Sequence, residues 1–331
     1  MRSARLLVLL TCCCVASLLV FAESEIDWHS IAAQGDLSMK AYHEAIRKGD
    51  QETAHAEKEK AQAAFAEVAK WALTIAPERL DDPEAARRYG KTLELARQYD
   101  LAARGYTRAW VIDPEDEDSA VAAARNCRKS GPSFFEEALD ILRAVLRDDT
   151  LESKPSSEAN AEMGRIFHEM KLIRLAQPAY VKAKESDPTS IVARLGLAII
   201  DISEGRLVEG NSALNQLTGL DEIDARFLDV ALPDALSRLD KRQIAIPGNA
   251  DAHAAYAQLL DRAGRSFEAL TAIEHAVMLD NSQYVWYNLK GGIAYRQGMA
   301  NRAITAYTKS LEMNSDQPVT RQMLVRLQSG Q

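Results

Sequence analysis

Cysteine is nearly missing from the body of this 331-residue chain. Three of its four cysteines, Cys12, Cys13 and Cys14, sit near the N-terminus, which leaves Cys127 alone. A lone thiol excludes an intrachain disulfide framework, and Cys127, set among Ala122, Ala123 and Ala124, reads as a buried packing residue. With no C-x-x-C there is neither a metal knuckle nor a thioredoxin-like pair. Phosphate-cradling loops of the G-x-G-x-x-G or G-x-x-x-x-G-K-[ST] kind do not occur, nor does a G-x-S-x-G elbow. His43-Glu44 and His168-Glu169 each begin an H-E pair, but Arg47 and Leu172 stand where a zincin needs its second histidine. Nothing in the sequence therefore names a catalytic residue, a metal or a cofactor, and the chain reads as a non-enzyme.

Positive charge is also short. Forty Lys and Arg face 48 Asp and Glu, a net charge of −8, which argues against nucleic acid as a partner. Alternating strand patterns of any length are absent, as is a Ser/Gly/Pro linker, so one elongated all-α domain is expected. The acidic run from Asp113 to Asp118 lacks the spacing of an EF-hand loop and reads as a solvated turn.

The one long apolar run is terminal. Arg2 and Arg5 precede Leu6 to Phe21, and Val20-Phe21-Ala22 offers a cleavage site before Glu23. Residues 1–22 read as an export signal, giving a periplasmic or secreted protein. The alternatives are a membrane anchor retained over residues 6–22, the only membrane contact expected, or a lipoprotein at Cys12, although Leu9-Leu10-Thr11-Cys12 is a poor lipobox. Cleavage would leave 38 basic against 48 acidic residues, a net charge of −10.

What the chain does have is a period. Ala257, Ala269, Ala276 and Asp280 are followed 34 residues later by Gly291, Ala303, Ser310 and Asn314, and the same internal spacing recurs from Gly90 and from Gly164. Small residues at fixed intervals mark helices whose backbones approach closely, and a 34-residue period marks stacked helix–turn–helix units. Tyr106, Tyr180 and Tyr307 each stand four residues after a small residue, on the same helix face, where a ring fills the neighbouring space. Gly205, Gly264 and Gly298 fall between the two helices of a unit, and Asp113-Pro114 and Asp187-Pro188 end second helices.

The skeleton Gly164, Phe167, Ala176, Tyr180, Ala183, Asp187, Pro188 resembles the tetratricopeptide repeat. The resemblance covers roughly residues 40–317 and implies a right-handed superhelical solenoid. Residues 23–40 would be an N-terminal extension, 41–317 an array of about seven to eight helix pairs, and 318–331 a capping helix and tail. The interval 225–249 is too short for a full unit and reads as a degenerate pair, with Pro233 at the first turn of its second helix. The first unit is irregular, with a short helix over 37–48 ahead of a long charged one. Gly131-Pro132-Ser133 should lengthen one inter-helix turn.

In the family that this resembles, first helices line the concave face, and their inward positions then follow from the repeat register. They place Arg87, Lys91, Arg125, Arg128, Arg165 and His168 on the inner wall, followed by an aliphatic strip of Leu195, Ile199 and Ile202. A basic and then apolar groove suits an acidic protein or peptide segment with one hydrophobic anchor. The resemblance thus implies a scaffold that holds a protein partner in the cell envelope. A self-associating structural solenoid is the alternative reading.

Overall fold

The computed structural model describes residues 27–147, 154–218, 220, 222–242, 246 and 248–329. Residues 1–22, read above as an export signal, and the final two residues lie outside them. The described residues form sixteen α-helices and no strand. The chain divides into two compact units, residues 1–150 and 151–331, rather than the single domain expected. The division falls where residues 151–156 interrupt the 34-residue period, and a stack whose units contact only their neighbours depends on unbroken register.

The first unit holds three helix pairs: α1 (Trp28–Lys48) with α2 (Gln51–Ala72), α3 (Pro83–Leu95) with α4 (Tyr99–Ile112), and α5 (Glu117–Ser130) with α6 (Phe135–Val145). Helix α1 starts at Trp28, so 13 of the 18 residues read as an extension are helical. Trp28 explains the early start: its indole stacks on Trp71 of α2, with ring centroids 5.6 Å apart. Asp50, Asp82 and Asp116 cap α2, α3 and α5 by accepting from backbone N–H groups in the first turn. A 3-10 turn over Pro132–Phe134 makes the longer connection expected there.

The second unit holds α7 (Lys154–Glu169) with α8 (Ile173–Ser186), α9 (Ile191–Ser203) with α10 (Leu207–Asn215), α12 (Ala250–Arg262) with α13 (Ser266–Leu279), and α14 (Tyr284–Arg296) with α15 (Ala300–Met313). Between α10 and α12 runs one continuous helix, α11 (Glu222–Lys241). It replaces the degenerate pair expected over 225–249, whose residues 243–245 and 247 lie outside those described. Pro233 sits inside α11, not at a helix start. A final helix, α16 (Pro318–Gln328), packs on α15.

The small residues do what their spacing implies. The Tyr180 ring is fully buried between α7 and α9. A Cβ added at Gly164 would stand 2.6 Å from that ring, and one at Gly196 closer still. Gly291 is matched in the same way to Tyr307, at 2.6 Å. The ring of a second helix thus fills the notch left by a glycine on a first helix, at interior packing density.

The turns show the same register. Gly205, Gly264 and Gly298 take φ of 87°, 77° and 70°, and Arg97 and Lys171 hold the equivalent place at 60° and 64°. For these two side chains the left-handed region costs about 1 kcal/mol that glycine does not incur.

Candidate docking face

In the first unit, α3 and α5 carry the charged positions. Arg87 is committed to structure. Its guanidinium bonds the Asp116 carboxylate that caps α5, at 2.6 and 3.0 Å, and Glu84 at 2.6 Å. Arg87 thereby ties the start of α5 to α3, and its hydrogen bond to Asp116 raises its already high pKa. Lys91 is exposed and Arg125 half-buried, whereas Arg128 is buried and so cannot form open wall.

Two further residues join them: Glu94, whose position the same repeat register turns inward, and Lys129, which that register did not include. Glu94 accepts from Lys129 at 2.8 Å and from the Tyr106 hydroxyl at 2.9 Å. Burial alone would push the Glu94 carboxyl up, but the charges of Lys129 and Arg125 and these hydrogen bonds hold it below the usual range. The Lys129 ammonium also stands 5.3 Å from the centre of the Tyr99 ring. Lys129 and Arg125 both act on Glu94, and the Lys129 side chain is only 11% exposed, so Lys91 and the half-buried Arg125 are the cations of this face that reach solvent.

In the second unit the expected groove is not open. Arg165 is 2% and His168 4% exposed. Arg165 pairs with Asp224 of α11, and its guanidinium lies 4.9 Å over the Phe227 ring. His168 meets Phe227 edge-on, with centroids 5.2 Å apart. Lys171, just beyond α7, reaches Asp234 at 3.1 Å.

Leu195, Ile199 and Ile202 are core, not an exposed anchor strip. They share a buried cluster with Leu228, Leu232 and Leu236 of α11. Ile202 also faces its own second helix, where a Cβ added to Gly210 would come within 2.7 Å of it. The amphipathic pattern of α11 supplies the apolar cover: Leu228, Ala231, Leu232, Ala235, Leu236 and Leu239 are all buried. Its far end is fixed by Asp240, which accepts from Tyr256 of α12 at 3.2 Å and pairs with Arg265 at 2.9 Å.

Burial pushes the His168 imidazole down to about 4, and the cations of Arg238, Lys171 and Arg165 act in the same direction against Asp234. It is therefore neutral at pH 7, with Nδ1 buried and making no hydrogen bond among the described residues. Cys127 is buried as expected, and burial pushes its thiol up to about 12, far from a reactive thiolate. No group of three or more His, Cys, Asp or Glu residues could hold a metal ion among the described residues. No helix among them is long and apolar enough to cross a membrane.

Helix pairs in 34-residue register, glycine notches filled by tyrosine rings and shared left-handed turns settle the architecture. The fold is that of a tetratricopeptide-like repeat array. No family model matches the chain, and no curated protein does. Among solved structures, a tetratricopeptide repeat protein from Parabacteroides merdae is 18% identical over 89% of this chain and 99% of its own, with a TM-score of 0.38. PilF of Pseudomonas aeruginosa is 12% identical over 75% of this chain and 97% of its own, with a TM-score of 0.37. The TPR2AB domain of yeast Sti1, solved in complex with an HSP90 peptide, is 18% identical over 74% and 98%, with a TM-score of 0.34.

Proposed function

We propose that this chain is a non-catalytic protein–protein interaction scaffold of the cell envelope, docking a partner segment on its first-helix faces. One observation carries the reading. The first-helix face of the second unit already holds a helix, through a buried charge pair, an aromatic ring on Arg165 and His168, and a leucine seam. That combination of arginine, aromatic ring and apolar seam is what hot spots of helix-in-groove complexes use. In the first unit the face that carries Lys91 and Arg125 suits an acidic segment. The N-terminal run of the sequence supports export to the periplasm or beyond.

The test is affinity capture from envelope extract with the mature chain, residues 23–331, against a Lys91→Glu/Arg125→Glu variant. Arg165 is the wrong residue for such a reversal, because a glutamate there would bury two carboxylates together. A partner retained by the wild type and lost by the variant is the expected result. A partner held equally by both removes the cationic face from the mechanism.

A further inference from the structure

Helix α11 stands apart from the stack. Elsewhere the second helix of one pair packs on the first helix of the next, as α8 does on α9 and α13 on α14. Helix α10 keeps this rule by packing directly on α12, with the Asn211 side chain donating to Gln258 at 2.6 Å. The repeat is thus continuous without α11, which instead lies against α9 and reaches Arg165 and His168 of α7.

Its contacts are also unlike those of a plain core helix. A buried ion pair gains little over apolar residues of the same size, so the Arg165–Asp224 pair speaks more for recognition than for stability. His168 keeps a buried nitrogen with no hydrogen-bond partner at the same seam, where a leucine would cost nothing. Lys171 retains a left-handed backbone where three other turns use glycine, and its ammonium is the one that reaches Asp234.

We infer that the α7–α9 face is a helix-docking site which α11 occupies in cis. Its external partner is an amphipathic helix of the same chemistry. Such a helix has an acidic residue in the place of Asp224, an aromatic three positions on, and leucines at the spacing of 228, 232 and 236. The inference rests on the scaffold reading and makes α11 the competitor that a partner must displace. A tethered helix competes at an effective concentration near the millimolar range, so only a well-matched partner enters.

Two measurements decide it. Hydrogen exchange on the full chain should show α11 amides opening at least about 100-fold more readily than those of α9. Equal protection in α11 and α9 would make α11 ordinary core and overturn the inference. The second measurement uses a fluorescein-labelled peptide of residues 220–242, titrated into wild type and into a Phe227→Ala/Leu232→Ala variant whose cis helix is weakened. The variant should bind the peptide at least about tenfold more tightly, since its competitor is weaker. A peptide with Asp224→Lys and Phe227→Ala should bind neither. A folded variant that ignores the native peptide would sink the inference, and if the variant fails to fold, exchange on the wild type still decides. Capture through Lys91 and Arg125 involves residues of the other unit, so the scaffold reading stands or falls separately.

Discussion

At the scale of single residues, His168 turns burial into a pH dependence. Its imidazole ionises near 6.5 in an unfolded chain and is pushed down to about 4 in the fold. The folded state therefore binds fewer protons across that interval. The stability due to neutral His168 is complete above pH 6.5 and is lost as pH falls from 6.5 towards 4. The loss amounts to roughly 3 kcal/mol, at 1.36 kcal/mol for each pKa unit. Arg165 and Lys171 on the α7 side and Arg238 on α11 oppose the charged form, and Asp234 only partly relieves them. Asp234 itself is held below 3.8, chiefly by the hydrogen bond from Lys171 acting against its burial, so its contribution is lost only at more acid pH. Urea titrations of wild type and His168→Leu between pH 7 and pH 4 separate the two. The wild type should lose stability over this range and the variant much less. Parallel curves would show that His168 is not the acid-sensitive group.

At the scale of elements, the glycine-and-ring notch makes a sharper claim than helix propensity does. Alanine is normally the better helix former, yet Gly196→Ala drives a methyl into the Tyr180 ring inside a closed core. Overpacking of this kind costs about 1–3 kcal/mol. A Cβ at Gly248 meets nothing within 4 Å, so Gly248→Ala should stay within about 0.5 kcal/mol of wild type. Equal urea midpoints for the two variants would refute the notch. This part of the fold was legible in the sequence, because the 16-residue step from Gly164 to Tyr180 recurs from Gly291 to Tyr307 and the two sizes are complementary. Helix α11 was not legible as one helix. Its leucines follow the helical period of every other element, and Pro233 resembles the start of a second helix. Only the tertiary fit of Leu228, Leu232 and Leu236 onto Leu195 and Ile199 shows a single helix laid across the stack. The docking residues failed for the same reason: register gives the face of a first helix, but not whether another segment of the chain covers it. Lys91 and Arg125 remain accessible, whereas Arg165 and His168 do not.

For the whole molecule, a stack of like units has ends, and each end needs a cover of its own. Helix α16 provides one for the second unit. Gln317, at its N-cap, donates to the carbonyls of Ser310 at 3.1 Å and Asn314 at 2.6 Å, and the Thr320 hydroxyl donates to Asn288 at 3.2 Å. Met323, Leu324 and Leu327 lie against the main buried cluster. Truncation after Ser315 removes all of these contacts. Losing three partly buried apolar side chains should cost on the order of 3 kcal/mol, before the unpaired polar groups of Ser310 and Asn288 are counted. Because repeat units contact mainly their neighbours, the loss should be graded along the chain. Hydrogen exchange should collapse first in α14 and α15, while α7 and α9, several helices away, keep their protection. A uniform loss across residues 154–315 would mean that the second unit unfolds as one cooperative body, with α11 as the strut that couples its pairs. Independent opening of α11 would then be ruled out as well, so the truncation and the exchange profile of the intact chain constrain each other.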